Sequence, residues 1–266
     1  MSSIRRGILN GVEIPETEYP VVGVVSDANA SFTCTGTLIA PQWVLTVAHC
    51  VQGQSNLVFI TGGLADTPER QNYNILKVEI YPYYRGEDNL GSDDSHDIGL
   101  IQLDRDCPIT PMIVNTNRPQ IGDILTIVGY GYGGTGDTGG DGITGIKRKG
   151  TTTLEAVSST LLAWIFNTGE SNTAPGDSGG PAFLPNETIA GITSAGQIPE
   201  VYGSVAYDTR VDAYLTWITA IITPTQSNSD STQAPPDHTD VQNSDGTEVR
   251  VNYHATVQNA ITIISG

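Results

Sequence analysis

The stretch NTAPGDSGGPAF, residues 172–183, sets one serine, Ser178, directly after Asp177 and among glycines. Glycine, serine and aspartate are ordinary turn formers, so a plain turn is the first reading. The second is a nucleophile. A serine hydroxyl attacks only when a base takes its proton, and histidine has the pKa for that work near neutral pH. The chain has four histidines: His49, His96, His238 and His254. His49 closes the apolar run WVLTVAHC, where a structural histidine would also fit. His96 stands beside Asp97 in SHDIGLIQL. Asp97 enters an apolar strand, a costly place for an unpaired carboxylate. A turn or cap role explains an aspartate there; a partner imidazole explains it better. His238 and His254 fall in a polar tail and read as exposed and idle.

Elements that could hold these groups are visible along the chain. PVVGVV, TGTLIA, WVLTVA, NLVFITGG, ILKVEIY, IGLIQL, DILTIVGYG and ETIAGITSAG are β-branched or apolar runs bounded by Gly, Pro, Asn or Asp. Their regular recurrence between residues 21 and 211 predicts an all-β, closed or double-barrel antiparallel fold. RGEDNLGSDDSHD, residues 85–97, reads as an acidic loop. The glycine-rich stretch 131–150 reads as a second loop. RVDAYLTWITAII brings Val211, Tyr214, Leu215, Ile218 and Ile221 to helical spacing, with Asp212 at the favourable end of the dipole and Pro224 as the stop. Beyond it, residues 224–266 read as a Ser/Thr/Pro/Gln/Asp linker followed by enough alternation for one or two strands.

Composition narrows the partners. The formal net charge is −17, with 29 acidic against 12 basic residues. Such a chain lacks the clustered Lys and Arg that nucleic acid or an anionic membrane surface requires. No apolar run reaches transmembrane length. The start MSSIRRGILNG has positive charge without an apolar core, so no secretory signal is visible in it. The three cysteines, Cys34, Cys50 and Cys107, decide little by number alone. GYGYGGTG mimics a phosphate-binding loop, but no helix follows it. Two acidic stretches, 87–97 and 135–142, have the carboxylate density that could bind calcium. Neither has full ligand spacing, and no cofactor or metal is expected.

TGTLIAPQWVLTVAHC, DIGLIQL and GDSGGP occur in that order. Together they resemble the signature regions of the chymotrypsin/trypsin-like serine peptidases, read here as a bacterial-type secreted member. ILNG at Ile8, YP at Tyr81, VGYG in mid-chain and TRVDAYLTWI agree with it. The resemblance spans about Ile8 to Ile222. It implies two antiparallel six-stranded β-barrels with a C-terminal helix, and a serine endopeptidase acting on protein or peptide substrates, expected as a monomer. Residues 8–223 would be the peptidase domain, 1–7 a propeptide remnant or leader-proximal segment, and 224–266 a linker plus short β tail.

Carried over residue by residue, the resemblance makes Ser178 the nucleophile, His49 the base and Asp97 its orienting partner. The N–H groups of Gly176 and Ser178 would form the oxyanion hole. Cys34 and Cys50 would form a disulfide, which implies an oxidising, secreted or periplasmic setting; two free buried thiols are the alternative. Cys107 would be free or pair between chains. Asn172, six residues before Ser178, would floor the specificity pocket, with Thr173, Ser194, Gly196 and Ala206 around it. Ser194 also resembles the family serine that helps hold the buried aspartate. Asn172 has no charge and Ala174 stands where the usual pocket cysteine would be, so the expected preference is for uncharged P1 residues. A cut before Ile8 would free an amine to pair with Asp177, although Arg6 lies one residue early for such a cut. The alternatives are a silent protease-like scaffold or an esterase using the same triad.

Overall fold

The structure, a computed structural model, describes residues 8–27, 33–65 and 67–223. The chain divides into two units, Met1–Pro224 and Thr225–Gly266, and every described residue belongs to the first. The expected linker and β tail therefore lie outside the described residues, as do residues 1–7.

A short strand β1, Val12–Glu13, precedes six strands: β2 Val22–Asp27, β3 Cys34–Ala40, β4 Trp43–Thr46, β5 Leu57–Thr61, β6 Gln71–Ile80 and β7 Gly99–Leu103. These six close into a barrel in the order β2-β3-β4-β7-β6-β5. Val22, Val24, Leu38, Val44, Leu45, Phe59, Leu100 and Leu103 fill it, none with any exposure. Full burial of each such side chain is worth roughly 1.5–3 kcal/mol.

The second half holds β8 Ile124–Gly129, β9 Gly134–Thr135, β10 Gly139–Gly140, β11 Arg148–Thr153, β12 Ala156–Val157, β13 Leu161–Ile165, β14 Pro181–Phe183, β15 Ile189–Gly196 and β16 Val205–Arg210. Its antiparallel sheet runs β1-β11-β8-β14-β15-β16-β13-β12. Six principal strands are thus flanked by the two-residue strands β1 and β12. Leu125, Ile127, Leu162, Trp164, Ala182 and Ala190 pack inside it together with Ile8.

All the apolar runs named from the sequence are strands. The stretch 131–150 is not one loop: β9 and β10 pair as a small hairpin, and β11 begins at Arg148. Backbone pairing to β8 makes the strand there, over a sequence, RKGTTT, that has no apolar run to announce it. The C-terminal segment starts as a 3-10 turn, Val211–Tyr214, and becomes an α-helix, α1, only over Leu215–Ile222. Val211, Tyr214 and Ile218 are its buried residues, as the spacing requires.

Candidate active site

β4 delivers His49. The strand ends at Thr46, and a 3-10 turn, Ala48–Cys50, carries the imidazole out of the barrel. Its side chain remains 15% exposed, while the Asp97 side chain is fully buried just before β7. His49 Nδ1 and Asp97 Oδ2 are 2.7 Å apart, and the His49 backbone N–H donates to Asp97 Oδ1 at 3.0 Å. A third donor comes from the other half of the molecule: Ser194 Oγ reaches Asp97 Oδ2 at 2.7 Å. Both carboxylate oxygens are thus occupied, and the imidazole is held with Nδ1 inward, leaving Nε2 for chemistry. The Thr209 hydroxyl donates to the Asp97 carbonyl at 2.8 Å. His96 instead bonds the Tyr214 hydroxyl at 2.9 Å and packs edge-on to its ring, so it is a structural neighbour.

Ser178 lies on the tight turn between β13 and β14, half-buried. That turn is pressed against the first barrel. The Ser178 carbonyl accepts from Thr35 N at 2.8 Å, and Cys50 Sγ lies 3.7 Å from the same oxygen. A Cβ on Gly179 would meet Thr46 Oγ1 at 2.1 Å, so only glycine allows this approach. Thr35 is the pivot of the contact. Its hydroxyl donates to the Gly176 carbonyl at 2.9 Å and accepts from Tyr130 N at 3.2 Å, while its carbonyl accepts from Thr46 Oγ1 at 2.9 Å.

Within the turn, Asp177 N bonds Ala174 O, Gly179 N bonds Thr193 O and Gly180 N bonds Asp177 O. The N–H groups of Gly176 and Ser178 have no acceptor among the described residues. Gly176 adopts a left-handed φ of 97° there. Two neighbouring donors without partners, beside a serine, are what a developing oxyanion needs.

Asp177 is fully buried. Its Oδ1 accepts from Gly131 N at 2.8 Å and its Oδ2 from Ala174 N at 2.9 Å. Burial pushes its pKa up to about 7, against the pull of those two N–H groups and of the Arg148 guanidinium. Ile8 is buried, and Leu9 forms a two-bond bridge with Asn172, at 2.8 and 3.1 Å.

The pocket candidates divide. Asn172 is buried, with Oδ1 accepting from Trp164 Nε1 at 2.9 Å and Nδ2 3.5 Å from Ser204 Oγ. Thr173 is buried beside it. Gly196 is exposed, and a Cβ there would meet nothing closer than 3.7 Å. Ala206 is buried opposite both Gly196 and Trp164. The Ser194 hydroxyl is bonded to Asp97. Sequence reasoning missed Asp208, fully buried on β16 opposite Thr193, with no well-formed hydrogen bond to either carboxylate oxygen among the described residues. Burial raises its pKa well above the carboxylate range, and the Thr193 hydroxyl offsets this only partly. An acidic residue inside the run VAYDTRV was the available signal.

Cys34 and Cys50 are joined in a disulfide, with Cα atoms 6.2 Å apart, and Cys107 is a buried free thiol. Cys34, His49 and Cys50 are the described residues with metal-ligand proximity, but the disulfide leaves no thiolate to bind. In the acidic loops, Asp93 accepts from Ser158 and Thr160, and Asp141 from Ile143 N. No helix among the described residues is long and apolar enough to cross a membrane.

The family described as Trypsin matches residues 8–218. The chain belongs to the trypsin family. It is a serine-type endopeptidase, a hydrolase, with the chymotrypsin-like fold. It is 32% identical over 217 residues to snake venom serine proteinase 14 of Crotalus adamanteus, covering 76% of this chain and 81% of that protein. It is 29% identical over 235 residues to a chymotrypsin of Phaedon cochleariae, with 79% and 80% covered. Trypsin 5G1 of Aedes aegypti is 26% identical over 221 residues, with 75% and 81% covered. These relatives come from snakes and insects and give no support to the bacterial-type reading.

Proposed function

We propose that the chain cleaves peptide bonds through an acyl-enzyme formed on Ser178. The Ser178 hydroxyl attacks the scissile carbonyl carbon as His49 Nε2 takes its proton. The carbonyl oxygen, now negative, is received by the N–H groups of Gly176 and Ser178. His49 returns the proton to the leaving amine, and a water activated by the same imidazole releases the acid. Asp97 holds the imidazole and stabilises its cationic form. This is the family's general scheme. The observation that carries it here is the buried Asp97 carboxylate, held by His49 through two bonds and by Ser194 through one.

The substrates we infer are proteins or peptides with uncharged P1 residues. The committed, neutral Asn172 supports this, because it cannot repay the desolvation of a cation. No step above calls for a metal or cofactor. The disulfide, with venom and insect proteases as relatives, supports a secreted or periplasmic enzyme, working as a monomer on residues 8–223. A cut that frees the Ile8 amine to pair with Asp177 would raise its activity; the buried Ile8 and the Leu9–Asn172 bridge support that reading.

Ser178→Ala tests the assignment. Loss of a triad serine costs on the order of 10⁶ in rate. The variant should retain the fold by circular dichroism and lose both peptide hydrolysis and labelling by a fluorophosphonate. Labelling of the parent without hydrolysis of casein, but with hydrolysis of short acyl esters, would favour an esterase. Neither labelling nor turnover would favour a silent scaffold.

A further inference from the structure

Arg148 opens β11 and is fully buried. Among the described residues its Nε and Nη2 have no hydrogen-bond partner, and Nη1 makes only long bonds, to Ile146 O at 3.3 Å and Gly131 O at 3.4 Å. The nearest ion pair is Nη2 to Glu13 Oε1 at 3.6 Å, and Glu13 itself is about half exposed. A guanidinium so poorly bonded is expensive to bury. Something else must compensate its charge.

The sheet register brings a second carboxylate, beyond Glu13, to the same face. Arg148 stands opposite Gly129 of β8 and opposite Glu13 of β1. Cross-strand partners share a face of the sheet. On that face the space of the missing Gly129 side chain is filled by Asp177: a Cβ there would lie 2.1 Å from Asp177 Oδ1. A Cβ on Gly131 would lie 2.6 Å from Asp177 Cγ. Gly131 also links the two charges directly, since its N–H donates to Asp177 and its carbonyl accepts from Arg148. The charged groups facing Arg148 are Glu13 from β1, Asp141 from the segment before β11, and Asp177. Among the described residues, Arg148 is the charged group facing Asp177.

Ile8 contributes no charge in the chain as written, because its nitrogen is in the peptide bond to Gly7. We propose that Arg148 is a standing counter-charge for Asp177, a positioning residue that keeps the Ala174–Ser178 turn and its two free N–H groups ordered before any cut at Ile8. The freed amine then adds a second cation to a carboxylate already partly compensated. Cleavage at Ile8 raises activity from a finite basal level instead of switching it on from nothing. This rests on the endopeptidase reading above.

The test uses chains starting at Met1 and at Ile8, each with Arg148, Arg148→Gln or Arg148→Lys, and one peptide substrate across pH 5–10. One pKa unit of lost carboxylate stabilisation is a tenfold change in the ordered population. In the Met1 chain, Arg148→Gln should lower kcat/KM about tenfold and move the Asp177 titration to higher pH. Arg148→Lys should restore most of the rate. In the Ile8 chain, where the amine supplies a cation, Arg148→Gln should cost less than about threefold. Carboxyl NMR of labelled aspartate follows Asp177 without needing turnover. An unmoved Asp177 titration, or equal loss in both chains without rescue by lysine, would overturn the proposal and leave Arg148 a packing residue. Absence of turnover and fluorophosphonate labelling in every chain would instead fail the endopeptidase reading, with the NMR titration still deciding the role of Arg148.

Discussion

Ser194→Ala separates two roles for one hydroxyl. By sequence position Ser194 belongs to the wall of the specificity pocket; in the structure it donates to Asp97 Oδ2 at 2.7 Å, inside the protein. Three donors hold that carboxylate, two from His49 and one from Ser194. A hydrogen bond to a charged group is worth about 1.5–3 kcal/mol. The alignment it enforces matters most when His49 becomes positively charged, because only then does the imidazole depend on a fully oriented carboxylate. At 1.36 kcal/mol per tenfold in rate, full expression in the transition state lowers kcat about 10- to 150-fold. KM should stay within about twofold. The same loss weakens the fold, and for a domain of this size it lowers Tm by roughly 3–12 °C. Steady-state kinetics on a peptide substrate, run well below the lowered Tm, gives the answer. A rise in KM at constant kcat would return Ser194 to the pocket and refute the reasoning. A lower Tm with kcat unchanged would make the hydroxyl structural only.

Cleavage profiling on a diverse peptide library should show uncharged P1 residues dominating, and a profile led by Lys or Arg would sink the role given to Asn172. Asp208→Asn should stabilise the protein at pH 8 by on the order of 1–3 kcal/mol, since the Thr193 hydroxyl compensates the buried carboxylate only in part. The sign follows from a folded pKa raised above the unfolded value near 3.9. Below about pH 4 both states keep the proton and the parent is at full strength; as pH rises toward the folded value only the unfolded state releases it, and stability falls. The advantage of asparagine in urea unfolding should therefore vanish near pH 3.5, and an advantage independent of pH would contradict it. Replacing Cys34 and Cys50 by serine opens a link across 16 positions and should cost about 3 kcal/mol, seen as a Tm lower by roughly 6–12 °C.

The residues given roles in the proposed chemistry could be named from the sequence because their neighbours are local. His49 follows its own strand, Asp97 precedes its own strand, and the glycines around Ser178 are adjacent in sequence. The first barrel was legible for a related reason: its strands are apolar enough to declare themselves. Residues acting across the fold were not. Arg148 falls near the end of the glycine-rich stretch 131–150, which reads as a loop until β8 and β1 pair on either side of Arg148. RKGTTT carries no hydrophobic alternation, so its strand character comes from backbone pairing alone. Thr35 and Thr209 look like ordinary strand threonines, and only the approach of distant segments gives their hydroxyls work.

Thr35 also bears on how this enzyme would fail. His49 and Asp97 come from one sheet system and Ser178 from the other, and Thr35 bonds to the Ser178 turn through both its N–H and its hydroxyl. It never meets the substrate in the chemistry proposed here, yet it sets the offset between nucleophile and base. A displacement of about 1 Å in such an offset can cost 10²-fold in rate. Each half could keep its strands and its core while the pair drifts out of alignment. Turnover is then a gauge of alignment between the halves, more sensitive than any measure of folded content, and inactivation on heating should run ahead of melting.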